Sequence, residues 1–230
     1  MDVIVLAGGF GTRLRQAVPD VPKPMAPVAG QPFLEILLTW LARKGFRRAV
    51  LSLGYMADRI VSHFGNSYAG VELVYEIEAT PLGTGGAIRQ ASRHCVGTHF
   101  YVVNGDSYLD FDVALVEAWW QQHRRPIIVA RAVPDTARYG RLETEGRQVS
   151  EFRGQGTPGP GLINGGCYVF NTDALSDWLL GDAFSIEADY FPAQVKRARI
   201  DVFVTLGQFI DIGVPEDYWR AQTELAGVCK

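Results

Sequence analysis

The feature that most limits what this chain can fold into lies at its start, where the apolar run of residues 3–7 passes directly into Gly8, Gly9 and Gly11. A β-branched apolar stretch of that length reads as a buried strand. Glycines at its end let the backbone turn sharply and present unhindered amides, a suitable place for an anionic phosphate. The residues after the glycines exclude two common versions of such a loop. Gly11 leads into Thr12, Arg13 and Leu14, so neither G-x-x-x-x-G-K-S/T nor G-x-G-x-x-G is present. ATPase and dinucleotide-oxidoreductase readings lose their main support.

Strand-like runs at 3–6, 49–53, 71–75 and 100–103 alternate with helical patterns in the first half of the chain. Phe33, Ile36, Leu37, Trp40 and Leu41 recur at helical spacing behind Pro32, with Gly45 as a stop. Val113, Leu115, Val116, Trp119 and Trp120 outline another helix, followed by the apolar run 127–130. The apolar residues of the first helix and the tryptophans of the second read as core. Beyond about residue 133 the pattern shifts to a short hairpin at 139–152 and a Gly/Pro-containing stretch at 154–161, whose composition is compatible with a semi-flexible lid. A strand near 167–170, a helix near 172–180, a strand at 201–206 and a helix after Pro215 complete the reading.

The expected architecture is α/β: a mostly parallel mixed sheet with helices on both faces, ligand chemistry at strand C-terminal ends, and a small β-rich insertion. One domain, 1–230, is expected, with 134–168 as the insertion that binds substrate. At 47% apolar and 20% charged residues the chain has the composition of a folded globular protein. A net charge of −3 carries no footprint for nucleic acid. Cys95, Cys167 and Cys229 lack metal-site or disulfide-framework spacing, and no apolar stretch reaches membrane-spanning length. A cytoplasmic setting, with no membrane partner, is the expectation. A homodimer is compatible with the sequence but not specified by it.

Beyond Arg13, Pro22-Lys23-Pro24-Met25 holds a lysine between two prolines, which restrict the backbone on both sides. A loop lysine alone is ordinarily a solvated one. Coupled to Leu6-Ala7-Gly8-Gly9-Phe10-Gly11-Thr12-Arg13-Leu14, it resembles the signature of the sugar-1-phosphate nucleotidyltransferase family. The resemblance continues through Pro81-Leu82-Gly83-Thr84-Gly85-Gly86-Ala87, Asn104-Gly105-Asp106 and Phe209-Ile210-Asp211-Ile212-Gly213, with Pro215-Glu216-Asp217 behind, so it covers nearly the whole chain.

That resemblance implies a Rossmann-like nucleotidyltransferase fold and a magnesium-dependent reaction between a nucleoside triphosphate and a sugar 1-phosphate, with release of pyrophosphate. It implies that Leu6, Ala7, Gly8, Gly9, Gly11 and Thr12 surround the triphosphate and that Gly83, Thr84 and Gly85 enclose the nucleoside. Arg13 and Lys23 become the catalytic cations, and Asp106 and Asp211 the Mg²⁺ ligands, oxygen donors suited to that ion. Asp110 and Asp112 fall outside the matching segments and read as leading the following helix.

For the sugar end, Tyr139 and Gly140 resemble the family's YG segment, Asn164 and Gly165 its later NGG-like turn, and Asn104 and Gly105 complete the implied sugar contacts. The family's F-x-E-K segment is replaced here by Phe152-Arg153-Gly154-Gln155. Arg153 is an alternative source of positive charge. Tyr75, Glu76, Glu78 and residues 185–192 resemble the compact bacterial guanylyltransferases that act on manno-heptose 1-phosphate for surface polysaccharides. This makes GTP the expected nucleotide. Mannose-1-phosphate guanylyltransfer, thymidylyl or uridylyl transfer to another sugar, and a silent sugar-nucleotide sensor are the alternatives.

Overall fold

The computed structural model describes residues 1–9, 11, 14, 18–19, 21–176 and 181–228. In chain order the elements are β1 (Asp2–Leu6), β2 (Pro27–Val28), β3 (Gln31–Pro32), α1 (Phe33–Arg43), β4 (Arg48–Leu53), α2 (Ala57–Phe64), β5 (Ser67–Tyr68) and β6 (Val71–Ile77). Then come α3 (Gly83–Ala91), β7 (His99–Asn104), β8 (Ser107–Leu109), α4 (Val113–His123), β9 (Ile127–Val133), β10 (Arg141–Glu145), β11 (Gln148–Arg153) and β12 (Gly161–Asn171). A single wide π turn (Ile186–Tyr190), α5 (Phe191–Gln194), β13 (Asp201–Thr205), β14 (Phe209–Asp211) and α6 (Pro215–Glu224) finish the chain.

Ten strands form one sheet in the order β10-β11-β13-β9-β12-β7-β1-β4-β6-β5. Its strands alternate between two cores because successive side chains leave a strand on opposite faces. Val3, Val5, Leu51 and Tyr101 join one core with α1, α4 and α6, whereas Ile4, Val50, Phe100 and Val102 join the other with α3 and α5. A strand covered on both faces must be apolar throughout, which is why the opening segment reads as a continuous hydrophobic run.

Parallel pairing holds along β7-β1-β4-β6 and between β9 and β13. Strand β12 runs antiparallel to both β7 and β9. Parallel order therefore prevails in the half that carries the glycine loop, and antiparallel order in the other. The hairpin β10–β11 pairs with β12 on one side and β13 on the other, so the 134–168 segment continues the main sheet and is not a separate layer.

Local signals account for the element ends. Helix α1 stops where Gly45 takes a φ of +93°, with Gly45 N–H donating to the Ala42 carbonyl at 3.1 Å and Phe46 N–H to the Leu41 carbonyl at 3.1 Å. This paired closure satisfies terminal carbonyls and buries Phe46. Asp112 caps α4, its carboxylate accepting from Leu115 N–H at 3.0 Å. The expected helix near 172–180 is turn over 172–176, and its remainder, 177–180, lies outside the described residues.

The 154–161 stretch is bonded to the segment that follows β9. Buried Thr136 donates its hydroxyl to the Thr157 carbonyl at 2.7 Å, and its N–H donates to the Gly159 carbonyl at 3.0 Å. Gly159 N–H in turn donates to Asp135 Oδ1 at 2.9 Å. These bonds tie the segment to residues 135–137.

Candidate active site

The cleft is set by three strand ends. Gly105 N–H donates to the Leu6 carbonyl at 2.8 Å and Ala7 N–H to the Ser52 carbonyl at 2.8 Å, tying the loops after β1, β4 and β7 together. Gly8 and Gly54 touch backbone to backbone: a Cβ on Gly54 would lie 2.8 Å from the Gly8 carbonyl oxygen. Any larger residue at either position would pry these two loops apart.

Between these loops and the start of α3 lies a cleft of about 510 Å³. It is lined by Leu6, Ala7, Gly8 and Gly9 on one wall, by Gly83 and Thr84 on another, and by Lys23, Asn104, Gly105 and Asp106 at its floor. The structure thus brings together most of the residues expected at the nucleotide and metal sites. Thr12 and Arg13 lie outside the described residues. Gly11, in a left-handed conformation at φ +60°, packs against the Lys23 stem.

Gly85 does not line the cleft. It is buried under Phe184, whose ring occupies the volume a side chain would take, and its N–H donates to the Phe184 carbonyl at 2.9 Å. Thr84 lines the cleft, but its hydroxyl donates to Glu187 Oε2 at 2.7 Å and accepts from Ile186 N–H at 2.9 Å. That hydroxyl clamps the start of α3 to the π turn.

Lys23 opens a single 3₁₀ turn (Lys23–Met25), and its ammonium is bonded to Asp106 Oδ2 and lies 3.9 Å from Asp211 Oδ1. The aspartates come from adjacent backbones: Asp106 directly precedes β8, and Asp211 pairs in register with Ser107. Ser107 Oγ donates to Asp106 Oδ1 at 3.2 Å, and Gly213 N–H to Asp211 Oδ1 at 2.7 Å. Two fixed carboxylates beside one cation have the donor chemistry that a magnesium ion needs from protein, since that ion commonly takes one or two carboxylates and completes its shell with water and substrate phosphates. Among the described residues no cluster of three or more His, Cys, Asp or Glu is arranged to hold a metal by itself.

The expected sugar residues divide. Asn104 lines the cleft, and its Oδ1 is buried with no hydrogen-bond partner among the described residues. Tyr139, Gly140, Asn164 and Gly165 do not line the cleft. Tyr139 packs edge-on against Phe209, ring centroids 5.9 Å apart, and burial raises its phenol above the ordinary tyrosine value. Gly140 sits against the Arg153 carbonyl, and Gly165 against Leu109 and the Val129 carbonyl. Asn164 lies at a register shift in β12, its Nδ2 donating to Tyr168 Oη at 2.8 Å. Arg153 is half-exposed and paired with Glu143 at 3.4 Å and Glu151 at 3.2 Å, so its charge is engaged on the hairpin.

Asp110 takes no part in the site: Lys44 Nζ lies 2.8 Å and Trp40 Nε1 3.1 Å from its Oδ1. Sequence reasoning missed Ser52 and Tyr55 and gave Glu78, which it marked only as part of a resemblance, no place in the site; all three line the cleft. The Glu78 carboxylate accepts from Ser52 Oγ at 3.2 Å and from Leu82 N–H at 3.0 Å. The available signal was a lone acid between a strand and the glycines that open α3, too common a pattern to identify a site. Glu187, inside the 185–192 segment that the resemblance marked, was given no role there; its carboxylate joins Thr84, Ser185 and Tyr168.

Comparison with known proteins agrees with this geometry. The chain is 36% identical over 226 residues to a D-glycero-α-D-manno-heptose 1-phosphate guanylyltransferase of Aneurinibacillus thermoaerophilus, covering 98% of each chain. It is 34% identical to the protein of the same name from Campylobacter jejuni, over 96% of this chain and 98% of that one. The crystal structure of HddC from Yersinia pseudotuberculosis complexed with GMP-PN superposes with a TM-score of 0.87 at 37% identity, covering 96% of this chain and 97% of that chain. Residues 2–227 match the family described as nucleotidyl transferase, and the chain belongs to that family.

Proposed function

We propose that the protein transfers a guanylyl group from GTP to the phosphate of D-glycero-α-D-manno-heptose 1-phosphate, forming a GDP-heptose and releasing pyrophosphate. The single observation that carries this reading is the Lys23–Asp106 pair in a glycine-walled cleft, with Asp211 Oδ1 3.9 Å from the same ammonium. The sequence likeness to two heptose 1-phosphate guanylyltransferases supports the choice of substrates.

A sugar-phosphate oxygen attacks the α-phosphorus and pyrophosphate leaves, so the reaction requires no nucleophile from the protein. Catalysis then rests on positioning and charge stabilisation. The backbone amides around Gly8 and Gly9 hold the triphosphate, and Lys23 neutralises charge developing near the α-phosphate. Arg13, two residues after Gly11 in the sequence, is assigned to the departing pyrophosphate. Asp106 and Asp211 would hold Mg²⁺, which when bound supplies charge to the phosphate oxygens.

Glu78 supports GTP in particular. A carboxylate offers acceptors only, and guanine presents N1–H and an exocyclic amine on one edge, whereas a pyrimidine dione presents a single N–H there. The orphan Oδ1 of Asn104 is suited to a sugar hydroxyl, because a buried acceptor without a partner is costly until a donor arrives. The cytoplasm, where nucleoside triphosphates are available, is the setting for such a reaction, as a supplier of activated sugar for surface polysaccharide.

The test is incubation of purified protein and Mg²⁺ with a matrix of nucleoside triphosphates and sugar 1-phosphates, following pyrophosphate and identifying products by mass spectrometry. GDP-heptose as the preferred product supports the reading. A preference for mannose 1-phosphate moves it to another sugar, and absence of any sugar-dependent product rejects it.

A further inference from the structure

Lys23 sits where a cation would sit. Its ammonium is bonded to Asp106 and lies 3.9 Å from Asp211, and its side chain is only 11% exposed. The seat is built for it. Pro22 and Pro24 restrict the backbone, and a Cβ on Gly11 would come within 3.0 Å of Lys23 Cβ. On the far side Gly213 leaves open the volume that Nζ fills, since any Cβ there would overlap the ammonium. Three features of the sequence thus converge on one side-chain position.

The carboxylates cannot easily spread to accept a second cation alongside the first. Asp211 is paired through β14 with β8, and its Oδ1 is fixed by Gly213 N–H at 2.7 Å. The Ile212 N–H donates to the Asp106 carbonyl at 3.0 Å, locking the two backbones together. A lysine ammonium and a divalent ion in this narrow interval would repel each other at close range.

Resting on the metal-site reading above, we propose that Lys23 is an internal counter-ion that excludes free divalent cations from the Asp106–Asp211 pair. Its ammonium leaves the pair only when nucleotide phosphates offer a replacement anion. The protein then accepts metal together with nucleotide and not before it. Gly11 leaves room beside the stem, which a Cβ there would crowd, and the prolines restrict the backbone, so the distal methylenes carry the movement. Charge stays paired throughout, with the ammonium moving from carboxylate to phosphate.

Manganese titration of the nucleotide-free protein, followed by electron paramagnetic resonance of the free ion, tests this. Lys23→Met should bind Mn²⁺ at least about tenfold more tightly than the unaltered protein, since an opposing unit charge is gone. Adding Asp211→Asn to Lys23→Met should abolish the gain. Lys23→Gln, which keeps a polar group beside Asp106, gives the same comparison should the methionine variant fold poorly. Mn²⁺ binding by the unaltered protein as tight as by either variant overturns the proposal, and so does the lack of any gain in both. A parallel titration with a non-hydrolysable GTP analogue separates the two readings: manganese retained there but not gained by the variants rejects only the lysine's role. Manganese absent even with nucleotide rejects the metal site and the proposal with it.

Discussion

Arg138 Nη2 lies 2.9 Å from Asp217 Oδ2, and the aspartate that receives it is only 1% exposed. The same carboxylate takes Arg220 Nη1 at 2.6 Å, and Tyr139 Oη lies 3.5 Å from it. The loop between β9 and β10 is thereby held to the first turn of α6, the helix that follows Asp211. A negative charge there is also favoured by the helix dipole.

Replacing Asp217 by alanine removes the common acceptor of two arginines that are each about half exposed. Because those arginines can turn to water, the loss should fall below that for a fully buried pair, at about 2 kcal/mol. Urea denaturation measures it. A change under about 0.5 kcal/mol, the range of an ordinary surface substitution, would mean that the clamp contributes nothing.

Gly83 combines a φ of +68° with the Phe184 carbonyl 2.5 Å from where a Cβ would stand. Gly83→Ala therefore meets both backbone strain and a clash at the cleft-facing start of α3. We expect a loss of about 2–3 kcal/mol in stability and a raised KM for nucleotide. Unaltered thermal unfolding and KM would contradict this.

Glu78→Gln changes one acceptor oxygen into a donor while preserving size. In the variant Leu82 N–H can still donate to the amide oxygen while Ser52 Oγ, now the acceptor, takes the amide nitrogen, which keeps the side chain in place. Preference for GTP over UTP, read as the ratio of kcat/KM values, should fall at least about tenfold, as expected when a paired acceptor meets the wrong group. An unchanged ratio would remove Glu78 from nucleotide selection.

Burial by itself would raise the Asp110 carboxyl, but hydrogen bonds from Lys44 and Trp40 outweigh it and hold the group below its ordinary value of 3.8. A depressed folded value means that the contribution to stability is present above the unfolded value and is lost as pH falls through the folded one. The cost of Asp110→Asn should accordingly be greatest near neutral pH and shrink as the pH is lowered below about 4. Denaturation of both proteins at several pH values checks the sign, and a cost that grows on acidification would refute it.

Features that are local could be read from the chain alone. An apolar run ending in glycines dictates a buried strand and an open loop, because φ freedom and hydrophobic burial act within a few residues. The periodicities of α1 and α4 and the closure at Gly45 were legible for the same reason, and the family motifs carried Lys23, Asp106 and Asp211.

Which of these residues meet was settled by the packed fold. Lys23 and Asp106 are 83 positions apart, and Thr84 and Glu187 are 103 apart. No periodicity encodes such pairings, which depend on strand order and on β8 and β14 coming together. Packing also separated residues that look alike in sequence: Gly8 brings two cleft loops into contact, whereas Gly85 makes room for Phe184. Tyr139 and Asn164, grouped by motif with the sugar site, have Phe209 and Tyr168 as neighbours that no motif names. A side chain's neighbours across the fold, and not its place in a motif, fix which partner it can reach.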